Sequence, residues 1–203
     1  METEKTELLF KVIVVGDPGV GKTSYIKKLV EQKFNPNEKT TIGVDFQVKT
    51  LKEENKLLQL QMWDIAGNPN FISVTHNFYK GASGAFLVFD VSDIKTFNRI
   101  SNWKDDIDEK IQINGEKIPV FLLGNKCDLE SKVRVDLQQF ARLNGFVGFD
   151  FVSAKKGNNV DETAEKMAKI LCENANTPIH EIKIHDENFV DFENPKKKKE
   201  KCC

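Results

Sequence analysis

A glycine-rich stretch, Gly16-Asp17-Pro18-Gly19-Val20-Gly21-Lys22-Thr23, constrains this chain more than any other feature. Its spacing is Gly, four residues, Gly-Lys-Thr, and it follows Lys11-Val12-Ile13-Val14-Val15, an apolar run that predicts a buried strand. After it, Ile26, Leu29 and Val30 fall on one face of a helix over Tyr25 to Gln32. The loop thus joins a strand to a helix, where backbone N–H groups and the positive helix end can wrap a phosphate chain. Phosphates would lie along Asp17, Pro18, Gly19, Val20, Gly21, Lys22, Thr23 and Ser24. Gly19 and Gly21 can take positive φ and admit them closely. Lys22 would reach the outer phosphates as a point charge, and the Thr23 hydroxyl is a hard oxygen suited to Mg²⁺. The loop predicts a nucleoside triphosphate without choosing the base.

The rest of the chain alternates strands and helices. Strands are expected over Leu8 to Val15, Val44 to Leu51, Leu57 to Asp64, Ala85 to Phe89, Val120 to Leu123 and Phe149 to Val152. Helices are expected over Thr23 to Gln32, more weakly over Ile72 to Lys80, and over Thr96 to Ile111, where Phe97, Ile100, Ile107 and Ile111 recur at helical spacing. Another runs near Asp136 to Asn144 and stops at Gly145, a left-handed cap. The last opens on Asn159-Val160-Asp161-Glu162 as an N-cap box, with Val160, Ala164, Met167, Ala168 and Leu171 as its stripe. Lys52 to Lys56 is short enough for a hairpin turn. The expected fold is α/β: a six-stranded, mostly parallel sheet with one antiparallel hairpin strand and helices on both faces. Ligands of such sheets sit at the carboxyl ends of the strands, and each chemistry-bearing motif of this chain follows a strand.

At 203 residues the chain suits one domain, with 30 Lys and Arg against 31 Asp and Glu. That balance leaves no global field to recruit nucleic acid. The polar, acidic start predicts no secretory signal, and no apolar run approaches a membrane span. Cysteines at 127, 172, 202 and 203 have neither metal-ligand nor disulfide-scaffold spacing. Cys127 and Cys172 are expected to be reduced core residues. The domain plan is a flexible stretch over 1–7, a nucleotide domain over 8–174 and a disordered tail over 175–203.

Three further strand ends carry chemistry. Asp64 in Asp64-Ile65-Ala66-Gly67 can hold Mg²⁺ through a water, while Gly67 lets a backbone N–H approach the terminal phosphate. In Asn125-Lys126-Cys127-Asp128, the Asp128 carboxylate can accept two N–H bonds from guanine, a pair that adenine lacks. In Ser153-Ala154-Lys155, the Ala154 N–H can meet the guanine carbonyl oxygen. Any one of these is an ordinary polar strand end; their order and placement together point to guanine.

With these motifs the chain resembles the small GTPases, and within them the Rab family, over about Leu8 to Asn174. Ile42-Gly43-Val44-Asp45-Phe46, Phe78-Tyr79-Lys80-Gly81-Ala82 and Val88-Phe89-Asp90 look like Rab segments. Trp63-Asp64-Ile65-Ala66-Gly67, with Ile where most Rabs have Thr, resembles the subgroup serving lysosome-related organelles and phagosomes. The resemblance implies a GTP/GDP switch with Mg²⁺ and a switch I whose Thr41 joins the metal only when a third phosphate is present. It implies that Phe34 packs against the guanine, and that Phe46, Trp63 and Phe78 form an aromatic triad read by effectors. It also implies partners: an exchange factor, a GTPase-activating protein, effectors, and prenyl-delivery and GDP-dissociation-inhibitor proteins. The place of action would be the cytoplasmic face of an endosomal, lysosome-related or phagosomal membrane, with a cytosolic pool.

The chain departs from the family at switch II. Rabs usually read Ala-Gly-Gln-Glu-Arg-Phe; here Ala66-Gly67-Asn68-Pro69-Asn70-Phe71 lacks the Gln that orients the attacking water. Asn68 stands one bond, about 1.5 Å, further back, and a misplacement of roughly 1 Å can cost about 100-fold. Pro69 biases Asn68 toward extended backbone. Lys22, Thr41, Gly67 and Asn68 are the expected catalytic set, with slow intrinsic hydrolysis. Pro18 lacks an N–H, and its ring can obstruct an incoming arginine finger. The tail ends Pro195-Lys196-Lys197-Lys198-Lys199-Glu200-Lys201-Cys202-Cys203, a basic stretch suited to an anionic leaflet before a Cys202-Cys203 pair resembling the Rab signal for two prenyl chains. Two alternatives stand beside the switch: a GTP-locked scaffold with vestigial hydrolysis, and a metabolic phosphate-loop kinase, which would need an Arg-rich lid that Arg99, Arg134 and Arg142 do not form.

Overall fold

The computed structural model describes residues 6–53, 56–67 and 76–175. Its main sheet is built from β1 (Thr6–Val15), β2 (Val44–Glu53), β3 (Lys56–Ile65), β4 (Gly84–Asp90), β7 (Val120–Asn125) and β8 (Gly148–Phe151), in the order β2-β3-β1-β4-β7-β8. Only β2 runs antiparallel to its neighbour, with Phe46 opposite Trp63 and Asp45 opposite Asp64. This is the expected six-stranded sheet.

Successive residues of β1 point to opposite faces, so a strand covered on both sides needs apolar residues at every position. Val12 and Val14 join the core beneath α1 (Lys22–Glu31) and α5 (Val160–Ala175), whose contributions include Tyr25, Leu29, Ala164 and Met167. Ile13 and Val15 join the opposite core with Phe97 of α2 (Ile94–Asn98), Ile100 and Trp103 of α3 (Ile100–Lys110), and Leu137 of α4 (Leu137–Leu143). The two cores leave the carboxyl ends of β1, β3, β4 and β7 on one edge, with the loops that follow them side by side. Among the described residues, no helix is long and apolar enough to cross a membrane.

Several details differ from expectation. β1 starts at Thr6, two residues early. The single helix predicted over Thr96 to Ile111 is two helices: Arg99, at φ −95° and ψ 0°, ends α2 and precedes α3, and the Asp93 side chain caps α2 by accepting from Lys95 N–H. The apolar period survives the break because both pieces press on one core. Of the helix expected over Ile72 to Lys80, residues 72–75 lie outside the described segments, and the remainder is a single 3₁₀ turn, His76–Phe78. A small hairpin, β5 (Gln112–Ile113) with β6 (Glu116–Lys117), adds to the expected elements. Asn114 and Gly115, at φ 53° and 84°, have the positive angles of its two-residue turn. Gly145 sits at φ 67° after α4, as a left-handed cap should. Ahead of α5, Asn159 is itself left-handed at φ 55°, and its Nδ2 donates to the Phe151 carbonyl instead of forming the predicted N-cap box. Cys172 is buried, whereas Cys127 is only half-buried.

Phe86 is fully buried between the rings of Tyr25 and Phe121, with centroids 5.6 and 6.0 Å away, both edge-on. Phe86→Ala should lower unfolding free energy by about 3–5 kcal/mol, and Phe86→Leu by markedly less. Urea titration of both variants checks this; equal losses would show that the ring geometry is not what the site requires.

Candidate functional site

The glycine loop leaves β1 and enters α1 at Gly21, which has φ 95°. Gly19, at φ 77°, has open space where a side chain would stand. A Cβ on Gly21 would meet the Asn125 side-chain nitrogen at 2.4 Å, so glycine here is a packing requirement. Lys22 is buried, and its Nζ donates to the Gly16 and Asp17 carbonyls at 2.9 Å each. Burial pushes its pKa down to about 8, partly opposed by the carboxylates of Asp64 and Asp17. Gly67 lies against this cluster: a Cβ would stand 2.3 Å from the Gly16 carbonyl oxygen and 2.6 Å from Lys22 Nζ.

Beside the lysine, three oxygens converge from three elements. Thr23 at the start of α1 donates through Oγ1 to Asp64 Oδ2 at 2.5 Å, and Thr41 from the loop before β2 donates to the same oxygen at 3.3 Å. The two hydroxyls are 2.7 Å apart. Asp64 Oδ1 is buried without a partner, and burial holds the carboxyl above its usual range. An orphaned carboxylate oxygen beside two hydroxyls is a hard-oxygen donor set that suits Mg²⁺. Thr23, Thr41 and Asp64 therefore fit the metal expected of them.

The other end of the cleft is organised by the tips of β7 and β8. Asn125 is buried; its Nδ2 donates to the Val20 carbonyl at 2.8 Å, and its Oδ1 accepts from Ala154 N–H at 3.2 Å. The sequence expectation gives that N–H to a base carbonyl; in the structure it is donated to Asn125. Lys126 Nζ donates to the Gly19 carbonyl at 2.8 Å and pairs with Asp90 at 2.6 Å, which lashes the base loop to the phosphate loop. Asp90 in turn accepts from the Ser92 N–H and hydroxyl. Ser153 Oγ donates to Asp128 Oδ1 at 2.5 Å, fixing that carboxylate.

A cleft of about 420 Å³ runs through all of this, lined by Pro18, Gly19, Lys22, Ser24, Thr41 and Gly67 at one end and Asp128, Ala154 and Lys155 at the other. Phe34 lines it too, partly exposed, as does Leu129, which no sequence motif marks. Asp17, grouped with the phosphate residues, directs its buried carboxylate elsewhere: it accepts from Arg99 and Trp103. Its backbone stays in the loop; its side chain does not face the cleft. Arg99 is likewise a site partner that the motifs do not reveal, and Asp90, quoted only within a Rab-like segment, gains its pairing role from the structure. Phe46, Trp63 and Phe78 do come together on the surface, with Phe46 stacked on Trp63 at 5.5 Å and Phe78 6.3 Å beyond. Lys11 Nζ sits 3.9 Å over the Trp63 ring. Asn68, Cys202 and Cys203 lie outside the described residues.

Comparison with known proteins agrees with this arrangement. The Ras family pattern matches residues 11–173. The mouse Ras-related protein Rab-32 is 41% identical over 206 residues, covering 98% of this chain and 92% of its own length. The human Ras-related protein Rab-7L1 is 39% identical over 175 residues, 84% of this chain and 86% of its own. Rab-32A of Dictyostelium discoideum is 42% identical over 175 residues, 83% of this chain and 80% of its own.

The Lys22 environment generates a pH prediction. Between pH 8 and the ordinary 10.5, the folded chain binds fewer protons here than the unfolded one, so stability from this group rises with pH across that window. Phosphate binding has the opposite sign, because it needs the ammonium. Nucleotide binding near pH 8 should take up about half a proton, and affinity should fall as pH climbs to 9. Calorimetry in two buffers of unlike ionisation enthalpy checks this; Lys22→Gln should bind more weakly and take up none.

Proposed function

The chain belongs to the Ras family, as a Rab GTPase, and we propose that it is a membrane-anchored switch whose GTP form is long-lived because Asn68 replaces the water-orienting glutamine. Rab proteins bind GTP and GDP with Mg²⁺, hydrolyse GTP, and act as switches in membrane traffic through exchange factors, activating proteins, effectors and GDP-dissociation inhibitors. The observation that best supports the site reading is one cleft that runs from Thr23 and Thr41, which bond the Asp64 carboxylate with its orphaned oxygen, to Asp128 at its base end.

On this reading, Lys22 exchanges its two carbonyl partners for phosphate oxygens, and the N–H groups of Gly19, Val20, Gly21, Lys22, Thr23 and Ser24 surround the phosphate chain. Thr23, Thr41 and Asp64 would hold Mg²⁺, which would supply charge neutralisation for the phosphates. Gly67 lacks a side chain, which lets its N–H approach the last phosphate beside Lys22. Asn125 holds the glycine loop against the base loop, Lys126 flanks the base, and Asp128 selects guanine by accepting two N–H bonds. Asp128 is exposed and accepts from Ser153, so its discrimination against adenine would come from covering the carboxylate with a base that offers it no donors. Ser153 orients Asp128, Ala154 meets the base carbonyl, and Lys155 and Phe34 close over the ring.

Asn68 would orient water poorly, and Pro69 would hold it extended. Pro18 at the mouth of the cleft would crowd an arginine supplied by an activating protein. Phe46, Trp63 and Phe78 would present the nucleotide state to effectors. Two prenyl chains on Cys202 and Cys203, with the lysines before them, would anchor the chain to an anionic cytoplasmic leaflet. The similarity to Rab-32 and Rab-7L1 supports an endolysosomal, lysosome-related or phagosomal membrane. Nothing in a Ras-family chain supports the metabolic kinase, whereas the GTP-locked scaffold is the extreme form of the same reading.

Two experiments test it. In single-turnover hydrolysis, replacing Asn68 by Gln together with Pro69 by Glu should raise the rate by about 100-fold; equal rates would discard the assignment. Chromatography of the nucleotide released from purified protein should then show a substantial GTP fraction, whereas GDP alone would indicate ordinary cycling.

A further inference from the structure

The side chain of Asp17 is the feature of the glycine loop that nucleotide binding does not use. Its carboxylate is 3% exposed and lies behind the cradle. Oδ2 accepts from Arg99 Nε at 2.6 Å and pairs with Arg99 Nη2 at 2.6 Å, while Oδ1 accepts from Trp103 Nε1 at 3.0 Å. Arg99 occupies the break between α2 and α3, and Trp103 stands one turn further along α3. The break in the helix therefore sits where the loop's carboxylate is met. The Asp17 backbone carbonyl, meanwhile, is one of the two that hold Lys22.

A buried carboxylate at the back of a phosphate site is a liability. Its field is felt at the ammonium that must hold the phosphates, where it opposes the effect of burial. Uncompensated, the same field would repel phosphate charge, and would penalise a triphosphate more than a diphosphate. Arg99 meets that charge with a half-exposed cation that is not part of the cleft lining.

We propose that Arg99 and Trp103 clasp Asp17 as positioning residues that neutralise it behind the phosphate cradle and thereby set the preference of the site for GTP over GDP. Neither residue touches the nucleotide; Arg99 sets the charge and Trp103 the orientation of the loop. This deepens the guanine-nucleotide reading and rests on it.

The test uses the full chain and measures dissociation constants for GDP and for a non-hydrolysable GTP analogue, both with Mg²⁺, by displacement of a fluorescent nucleotide. Arg99→Ala should weaken the GTP analogue about tenfold more than GDP. Adding Asp17→Asn should restore the wild-type ratio, because the amide still accepts from Trp103 but carries no charge. Arg99→Lys should lie near wild type, and Trp103→Phe should speed release of both nucleotides without moving their ratio. Should Arg99→Ala fail to give a cooperative thermal transition, Arg99→Gln takes its place. Equal weakening of both nucleotides, no change in either, or a ratio that Asp17→Asn leaves displaced would each overturn the clasp while leaving the nucleotide site intact. A wild-type chain that binds neither nucleotide would overturn the site reading and the clasp together.

Discussion

The site depends on one buried amide. Asn125 ends β7, and its side chain reaches back to the Val20 carbonyl of the glycine loop while accepting from Ala154 N–H after β8. Three strand tips are thus held by two bonds from one residue that is 1% exposed. Each bond contributes only about 1 kcal/mol net, but stranding its buried partners would cost about 1–3 kcal/mol apiece. The amide also dictates its neighbours: only a glycine at position 21 leaves room for its nitrogen. Parallel strands bring their carboxyl ends to one edge, and Asn125 turns that general consequence of the fold into a cleft of fixed shape.

Around this staple, charge is set against desolvation in pairs. Lys126 meets Asp90, Asp17 meets Arg99, and Lys22 draws on Asp64 and Asp17. The pairs differ in how complete they are. Asp90 and Asp17 have their needs met by protein, so they stiffen the loops that bear them. Lys22 is satisfied only by carbonyls, and Asp64 keeps an oxygen with no partner. Part of the unmet polar demand among the described residues thus lies at the phosphate end, where magnesium and phosphate oxygens would supply what the protein withholds.

The glycine loop, the guanine tetrapeptide and the doubly buried strands are legible in the sequence because each depends on local spacing or on a backbone angle. Gly19 and Gly21 can be read from the positive φ they need, and β1 from its lack of alternation. What escapes is set by tertiary direction. Asp17 belongs to the loop by sequence, yet nothing local says that its side chain turns toward α3, and Arg99 lies 82 residues away. Leu129 is one residue past the tetrapeptide, and only the shape of the cleft brings it to the base end. The split between α2 and α3 is hidden because apolar residues on both pieces keep one helical period against one core. The Asn114-Gly115 turn is a strong local signal, but its strands are two residues long and carry no alternation to support it.

The pairing of β2 with β3 ties the nucleotide end to the aromatic surface. Trp63 and Asp64 are consecutive on β3, so the pleat sends one side chain outward to Phe46 and Phe78 and the other inward to Thr23 and Thr41. A slip of one residue would exchange them and destroy both sites at once, which makes the register a condition of coupling as well as of folding. Past the end of β3, Ala66 N–H donates to the Gly43 carbonyl at 3.1 Å. Gly43 is two residues from Thr41, and Ala66 is the neighbour of Gly67. A ligand that drew Thr41, through a metal, and Gly67 toward the same phosphate would pull on both strands of this bridge, within three residues of the exposed Phe46 ring. Thr41, Gly67 and the aromatic surface are thereby joined through one backbone hydrogen bond.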